Sequence, residues 1–264
     1  MSKQKGIIKL EGNLGGISFY TTDGQHLARL ANGPSKERIA KDPAFKRTRE
    51  NNKEFGGSAK AGKALRLSMS GLLQTMAGSR FTSRLTALFK SINLKGVGQR
   101  GKRPIAPSLH KAMLKNMEFN KKISFSTVFS APFTLANDAD RFEGSVTIGA
   151  FSPDSAISPP AGATHFKLVS ALGVISDYVH DDGTSNYEPI VPDQDSLGAT
   201  ASSNILPLGP TAPAVTLTAT IAGSPVIDAQ CTVIQTLGIE FYQQVGADFY
   251  LFAQDNTMKI VNAF

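Results

Sequence analysis

A single cysteine, Cys231, stands in a chain of 264 residues. That excludes any disulfide within one chain and any thiolate metal cluster, which needs several sulfurs at fixed spacings. Set in a strand-like run, Cys231 reads as a small buried hydrophobe rather than a reactive thiol. Tryptophan is missing, and no tyrosine lies between Tyr20 and Tyr178. Single-strand nucleic-acid binding interleaves aromatics with basic residues so that bases can stack. Here Phe45, Phe55, Phe81 and Phe89 sit at positions better explained by helix packing.

Long apolar runs are also missing. None approaches the ~18 residues of a membrane span. A secretory signal needs about 7–15 unbroken apolar residues after a basic start, and Lys9 and Glu11 interrupt the run that begins at Ile7-Ile8. The expectation is a protein made in the cytoplasm, without a membrane span, with export by a signal-less route left open.

Acidic residues are scarce in the first half. Residues 1–125 hold 25 Lys+Arg and 7 Asp+Glu, a net of +18, whereas residues 126–264 hold 3 and 14, a net of −11. Such asymmetry points to a polyanionic partner or to self-association with the opposite half. The bland alternative is a set of solvated basic helices.

The chain also changes texture. Residues 5–31 read as a β-hairpin or short meander, with Gly12-Asn13-Leu14-Gly15-Gly16 and Asp23-Gly24 as turns. Helical signals follow: Ser35 as an N-cap, then Asp42-Pro43, where Asp caps and Pro opens the first turn. The second of these helices is expected to stop at Gly56-Gly57, and Lys46, Arg49 and Lys53 make a basic stripe on it. Ala61, Leu65, Met69, Leu72, Leu73 and Met76 recur at helical spacing, as do Phe81, Leu85, Leu88, Phe89 and Ile92, the latter after Ser79 as a cap. Residues 95–107 read as an exposed loop and 108–116 as a short helix.

From about residue 117 the pattern becomes short alternating runs, at 123–129, 142–151, 164–175, 213–221, 226–235, 237–245, 248–253 and 257–262. Turn residues punctuate them, and 191–213 reads as loop. The fold class expected is therefore α+β: an N-terminal β-hairpin and basic helices over 1–116, then an acidic antiparallel β-sandwich, immunoglobulin-like, over 117–264.

Catalytic signals are weak. Gly57-Ser-Ala-Lys-Ala-Gly62-Lys63 matches a phosphate loop until Ala64 replaces the Ser or Thr that would hold Mg²⁺. The four histidines (His26, His110, His165, His180) form no ligand pair at helical spacing. The Asp177–Gly183 run does not fit the twelve-residue calcium loop, because Gly183 falls at the wrong offset, and reads as an acidic hairpin tip. No serine elbow is present. No catalytic residue, cofactor or metal is assigned, and the chain reads as a non-enzyme without a small-molecule substrate.

The run Asp42-Pro-Ala-Phe-Lys-Arg-Thr-Arg-Glu-Asn-Asn-Lys-Glu-Phe-Gly56, with Gly-Ile-Ile-Lys-Leu-Glu-Gly near the start, resembles a family of uncharacterised bacterial proteins that share this basic block ahead of a more variable β-rich remainder. The likeness covers roughly the first 90 residues and implies no site residues.

The function expected from the residues is structural. The protein self-assembles into a filament, tube or shell, its basic half docking on the acidic half of a neighbouring copy. The alternative is a sequence-nonspecific nucleic-acid-binding or packaging protein. In either case the polyanion-binding candidates are Lys36, Arg38, Lys41, Lys46, Arg47, Arg49, Lys53, Lys60, Lys63, Arg66, Arg100, Lys102 and Arg103.

Overall fold

A computed structural model describes residues 2–31 and 33–264. The chain divides into two compact units, Met1–Arg49 and Glu50–Phe264. The division therefore falls well before the change in sequence texture near residue 117.

In the first unit, strands β1 (Ser2–Lys3), β2 (Gly12–Leu14), β3 (Ile17–Thr22) and β4 (Gln25–Leu30) form one antiparallel sheet in the order β1-β4-β3-β2. Two-residue turns set its register. Gly15-Gly16 and Asp23-Gly24 all have positive φ, from 49° to 77°, which matches the right-handed twist of the paired strands. The first turn is shorter than the sequence suggested, since Gly12–Leu14 is already strand.

Helix α1 (Lys36–Lys41) starts where the Ser35 side chain accepts from Arg38 N at 3.2 Å. Asp42 then accepts from Ala44 N at 2.9 Å, and Pro43 opens a 3₁₀ turn, Pro43–Phe45. Both caps are those read from the sequence. No described residue of this unit is buried.

Helix α2 (Lys46–Ser68) begins in the first unit and runs through Gly56-Gly57 without a break. The stop expected there is wrong, and packing gives the reason. A Cβ at Gly57 would collide with the ring of Tyr187, so this glycine makes room for a side chain 130 positions later in the sequence. Beyond α2 lie α3 (Ser70–Met76) and α4 (Phe81–Asn93). Their periodic residues Ala61, Leu65, Met69, Met76, Phe81, Leu85, Phe89 and Ile92 are all buried, as the spacing predicts. Ser79 does not cap α4, whose N-cap position is Arg80.

Residues 95–107 are not a free loop, because Gly101, Ile105, Ala106 and Pro107 are buried. Instead of a helix over 108–116, two 3₁₀ turns occupy Pro107–Leu109 and Lys111–Met113. The run 123–129 is not a strand. It holds the one-turn helix α5 (Phe125–Val128), because Glu118 accepts from Phe125 N at 2.9 Å and from Ser124 Oγ at 2.8 Å.

The β-rich part comprises β5 (Phe133–Asn137), β6 (Glu143–Ile148), a one-turn helix α6 (Pro153–Ala156), β7 (His165–Ser176), β8 (Tyr178–Asp181) and β9 (Asn186–Pro189). It continues with β10 (Gly198–Ser202), β11 (Leu206–Pro207), β12 (Val215–Thr220), β13 (Cys231–Val245), β14 (Asp248–Leu251) and β15 (Thr257–Ala263). The segment 191–213, read as loop, thus carries two short strands. The runs at 226–235 and 237–245 fuse into the single strand β13.

All pairings are antiparallel. The large sheet runs β10-β7-β13-β14, with β11 also on β7 and β15 also on β13; a smaller sheet runs β12-β6-β5; β8 and β9 pair as a hairpin. Strand parity sorts the core. Val169, Ala171 and Ile175 of β7, with Ile234, Met258 and Ile260, pack with the buried residues of α2–α4. Phe166, Leu168, Leu237, Ile239 and Phe241 face the opposite way, onto Val146, Ile148 and Leu217 of the smaller sheet. A sandwich-like pair of sheets therefore carries a helical layer on its large sheet. With both faces covered, β7 and β13 are buried almost continuously, so their side chains alternate in direction without alternating in polarity.

Candidate interaction surfaces

The thirteen basic candidates separate into groups once the chain folds. Lys36, Lys46, Arg47, Lys53, Lys63 and Arg100 are exposed and make no ion pair among the described residues. Lys41 pairs with Glu37 at 2.8 Å, one turn away on α1. Arg38 reaches Asp42 at 3.2 Å and lies over the Phe45 ring. Arg49 Nη1 donates to the carbonyls of Ile39 and Asp42, both at 2.8 Å, tying off the end of α1. Of the stripe on α2, Lys46 and Lys53 stay exposed, while Arg49 is a structural clasp.

Two others bind acidic residues of the same chain. Lys60 pairs with Glu188 and donates to the Tyr187 carbonyl at 3.0 Å; Lys102 pairs with Asp182 at 2.5 Å. Part of the opposite charge carried by the two halves of the sequence is therefore spent inside the fold. Between α2 and the β8–β9 hairpin lies a cleft of about 310 Å³, lined by Lys53, Lys60, Tyr187 and Glu188. Arg66 is half-buried, and its Nε has no hydrogen-bond partner among the described residues.

Arg103 is drawn furthest inward. Its Nε and Nη2 reach Glu54 at 2.8 and 2.7 Å, Lys90 reaches the same carboxylate at 2.5 Å, and Gly101 N donates to it at 2.8 Å. Burial by itself would raise the Glu54 carboxyl, but these donors hold it down at about 2. The cluster pins 95–107 onto α2 and α4, since Asn93 and Tyr187 also donate to the Arg103 carbonyl. Bidentate charge-assisted contact of this type fixes geometry as well as charge. Arg103, expected to meet a partner outside the chain, instead has Glu54 as its counterion. The two are 49 residues apart, and no local signal links them.

Two further carboxylates of the β-rich part, Asp177 buried and Asp195 half-buried, hold neighbouring backbone. Asp177 accepts from Ser108 N at 3.0 Å and Ser108 Oγ at 2.5 Å, and Asp195 accepts from Ser176 N at 3.0 Å and from the Tyr178 hydroxyl. Burial raises both carboxyls. Each acts as a clamp for a loop. His180 is buried against the Tyr187 ring, and its Nδ1 lies 3.1 Å from Asp182 Oδ1 without hydrogen-bond alignment. Among the described residues no group of three His, Cys, Asp or Glu side chains is placed to hold a metal. The sequence Gly57–Lys63 lies inside α2, where the backbone N–H groups are turned into the helix and cannot cradle a phosphate.

A groove of about 390 Å³, with no signature in the sequence, lies where the first two turns of α4 meet the segment 113–124. Arg84, Lys115 and Lys121 supply its charge, and Leu88, Met113 and Met117 its apolar wall. Arg84 Nη2 donates to the carbonyls of Glu118 and Phe119 at 2.5 and 2.9 Å, leaving Nε buried and without a partner among the described residues. The Glu118 carboxylate is already engaged by Ser124 and Phe125. With Arg84, Lys115 and Lys121 against this one carboxylate, the groove is net cationic.

In the first unit, Ile7, Ile8, Leu10, Leu14 and Leu30 are exposed, Ile7 fully. Residues 1–49 hold 10 basic and 4 acidic side chains, a net of +6. Among the described residues no helix is long and apolar enough to cross a membrane. No family model, curated protein or solved structure matches this chain.

Proposed function

We propose that this chain is a non-enzymatic structural subunit that self-assembles, its basic N-terminal unit docking on the acidic β-rich surface of a neighbouring copy. The observation that carries the reading is the first unit itself: a four-stranded sheet and a short helix in which no described residue is buried. A small sheet gains independent stability by covering an apolar face. This one leaves five large aliphatic side chains in solvent and holds a net charge of +6. A neighbour with exposed carboxylates would cover the aliphatic groups and offset the charge together. Asp140, Asp154, Asp193, Asp228 and Asp248 are exposed on the β-rich part. For that part we carry forward an immunoglobulin-like sandwich as the display scaffold, supported by the two antiparallel sheets that share the Val146, Leu217 and Leu237 core.

The second reading, nonspecific binding to nucleic acid, draws on the exposed Lys46, Arg47, Lys53 and Lys63 of α2. Only one exposed aromatic of that helix, Phe55, stands among them, whereas stacking along a strand uses several.

Light scattering on nuclease-treated protein at low salt separates the two. Polymers that persist without nucleic acid, and amides of residues 2–31 that exchange slowly only in those polymers, fit self-assembly. Clean monomers that change size only when DNA or RNA is added overturn it. Changing Lys46, Arg47 and Lys53 to Glu together is expected to dissolve the polymers.

A further inference from the structure

The hairpin of β13 and β14 and the cationic groove are two unfinished surfaces of the same unit. Beyond Tyr242 the hairpin is exposed throughout, from Gln243 to Leu251. Gly246, with φ at 65°, closes it in a two-residue turn, and Val245 stands directly opposite Asp248, as Gln243 does Tyr250. Directly opposed residues in an antiparallel pair share a face. One face of the hairpin therefore presents Val245, Tyr250 and Asp248, with Val245 58% and Tyr250 57% exposed. The opposite face is partly occupied, since Phe249 packs edge-on against His165. An exposed apolar edge strand is a template for association unless something covers it.

The groove offers what that face lacks. Met113, Met117 and Leu88 form an apolar wall, and thioether side chains adapt to the shape of an incoming group. Lys115 and Lys121 are exposed donors without a carboxylate, because the nearby Glu118 accepts from Ser124 and Phe125. The hairpin from Tyr242 to Leu251 carries one charged side chain, Asp248, beside two apolar ones.

We propose that the hairpin of one copy seats in this groove of the next, with Asp248 meeting Lys115 and Lys121 and with Val245 and Tyr250 on the methionines. The inference rests on the self-assembly reading and names a second contact for it. Because the two patches differ, the contact is heterologous, and repeated addition builds a ring or an open filament.

The buried Cys231 makes the test direct, since the chain's own thiol is 0% exposed. Two single-substitution proteins, Tyr250→Cys and Lys121→Cys, are mixed and treated with a short thiol cross-linker under assembly conditions. The expected result is a cross-linked dimer from the mixture, at least about tenfold more abundant than from either protein alone. In the same assay Asp248→Lys should lower the yield roughly tenfold, as for loss of the remaining Asp248–Lys115 charge pair, and a compensating Lys115→Asp in the Lys121→Cys partner should restore it. Cross-linking of Tyr250→Cys to itself would overturn the proposal in favour of a two-fold hairpin pair. No cross-link while wild-type polymers persist would overturn this contact and leave self-assembly standing. A monomeric wild type would remove both.

Discussion

The guanidinium of Arg103 straddles the carboxylate of Glu54, Nε to Oε1 at 2.8 Å and Nη2 to Oε2 at 2.7 Å, with the carboxylate only 1% exposed. Lys90 completes a cluster in which two cations share one anion. Replacing Glu54 by Gln leaves two partly buried cations without a counterion. Breaking a buried pair from one side costs about 3–5 kcal/mol. The expected outcome for Glu54→Gln is a loss of that size in the chemical-unfolding free energy, with residues 95–107 becoming sensitive to protease.

The same cluster predicts an acid limb in stability. The Glu54 carboxyl ordinarily titrates at 4.5 and is held at about 2 in the folded protein. A depressed carboxyl stabilises the fold fully above its unfolded value and loses that stabilisation as pH falls toward the folded one; the shift corresponds to roughly 3 kcal/mol. Asp177 and Asp195 act in the opposite sense, because burial raises them and favours their protonated forms. The contribution of Glu54 is thus isolated as a difference: between pH 5 and pH 2 the unfolding curves of wild type and Glu54→Gln should converge.

Adjacent glycines in α2 should respond to alanine with opposite signs. Gly56 has open space where a Cβ would stand, so Gly56→Ala is expected to stabilise by up to about 1 kcal/mol through helix propensity. At Gly57 the added carbon meets the Tyr187 ring, and overpacking of this kind costs about 1–3 kcal/mol. Paired thermal melts of the two variants measure the difference.

Cys231 should be chemically silent in the native protein. Burial pushes its thiol up to about 11, and the side chain is inaccessible. Thiol labelling at pH 8 is expected to proceed only at the rate of unfolding and to reach one equivalent in denaturant. Rapid native labelling would contradict the burial.

Some elements could be read directly from the chain. The Asp23-Gly24 turn, the Ser35 and Asp42 caps, and the helical spacing of Leu65, Phe81, Leu85 and Phe89 all appear in the fold as expected. Each depends on neighbours within about one turn, where backbone sterics and local hydrogen bonds decide. Gly56-Gly57 misled because its meaning lies in Tyr187, and residues 123–129 misled because Glu118 supplies donor satisfaction that propensity does not encode. Of the two strands in 191–213, β10 is hidden by its composition of small residues. One of them, Gly198, faces the Ser68 carbonyl so closely that a side chain would not fit.

The order of the residues by itself determined the lopsided charge, the single thiol and the places where α1 and the first hairpin begin, because these follow from composition and short-range geometry. Only the tertiary structure decided which of the basic residues remain available. Folding placed Glu54 under Arg103, Glu188 beside Lys60 and Asp182 beside Lys102, contacts 49, 128 and 80 positions apart along the chain. Coulomb attraction acts through space, so pairing over such separations is settled by how the strands and helices pack.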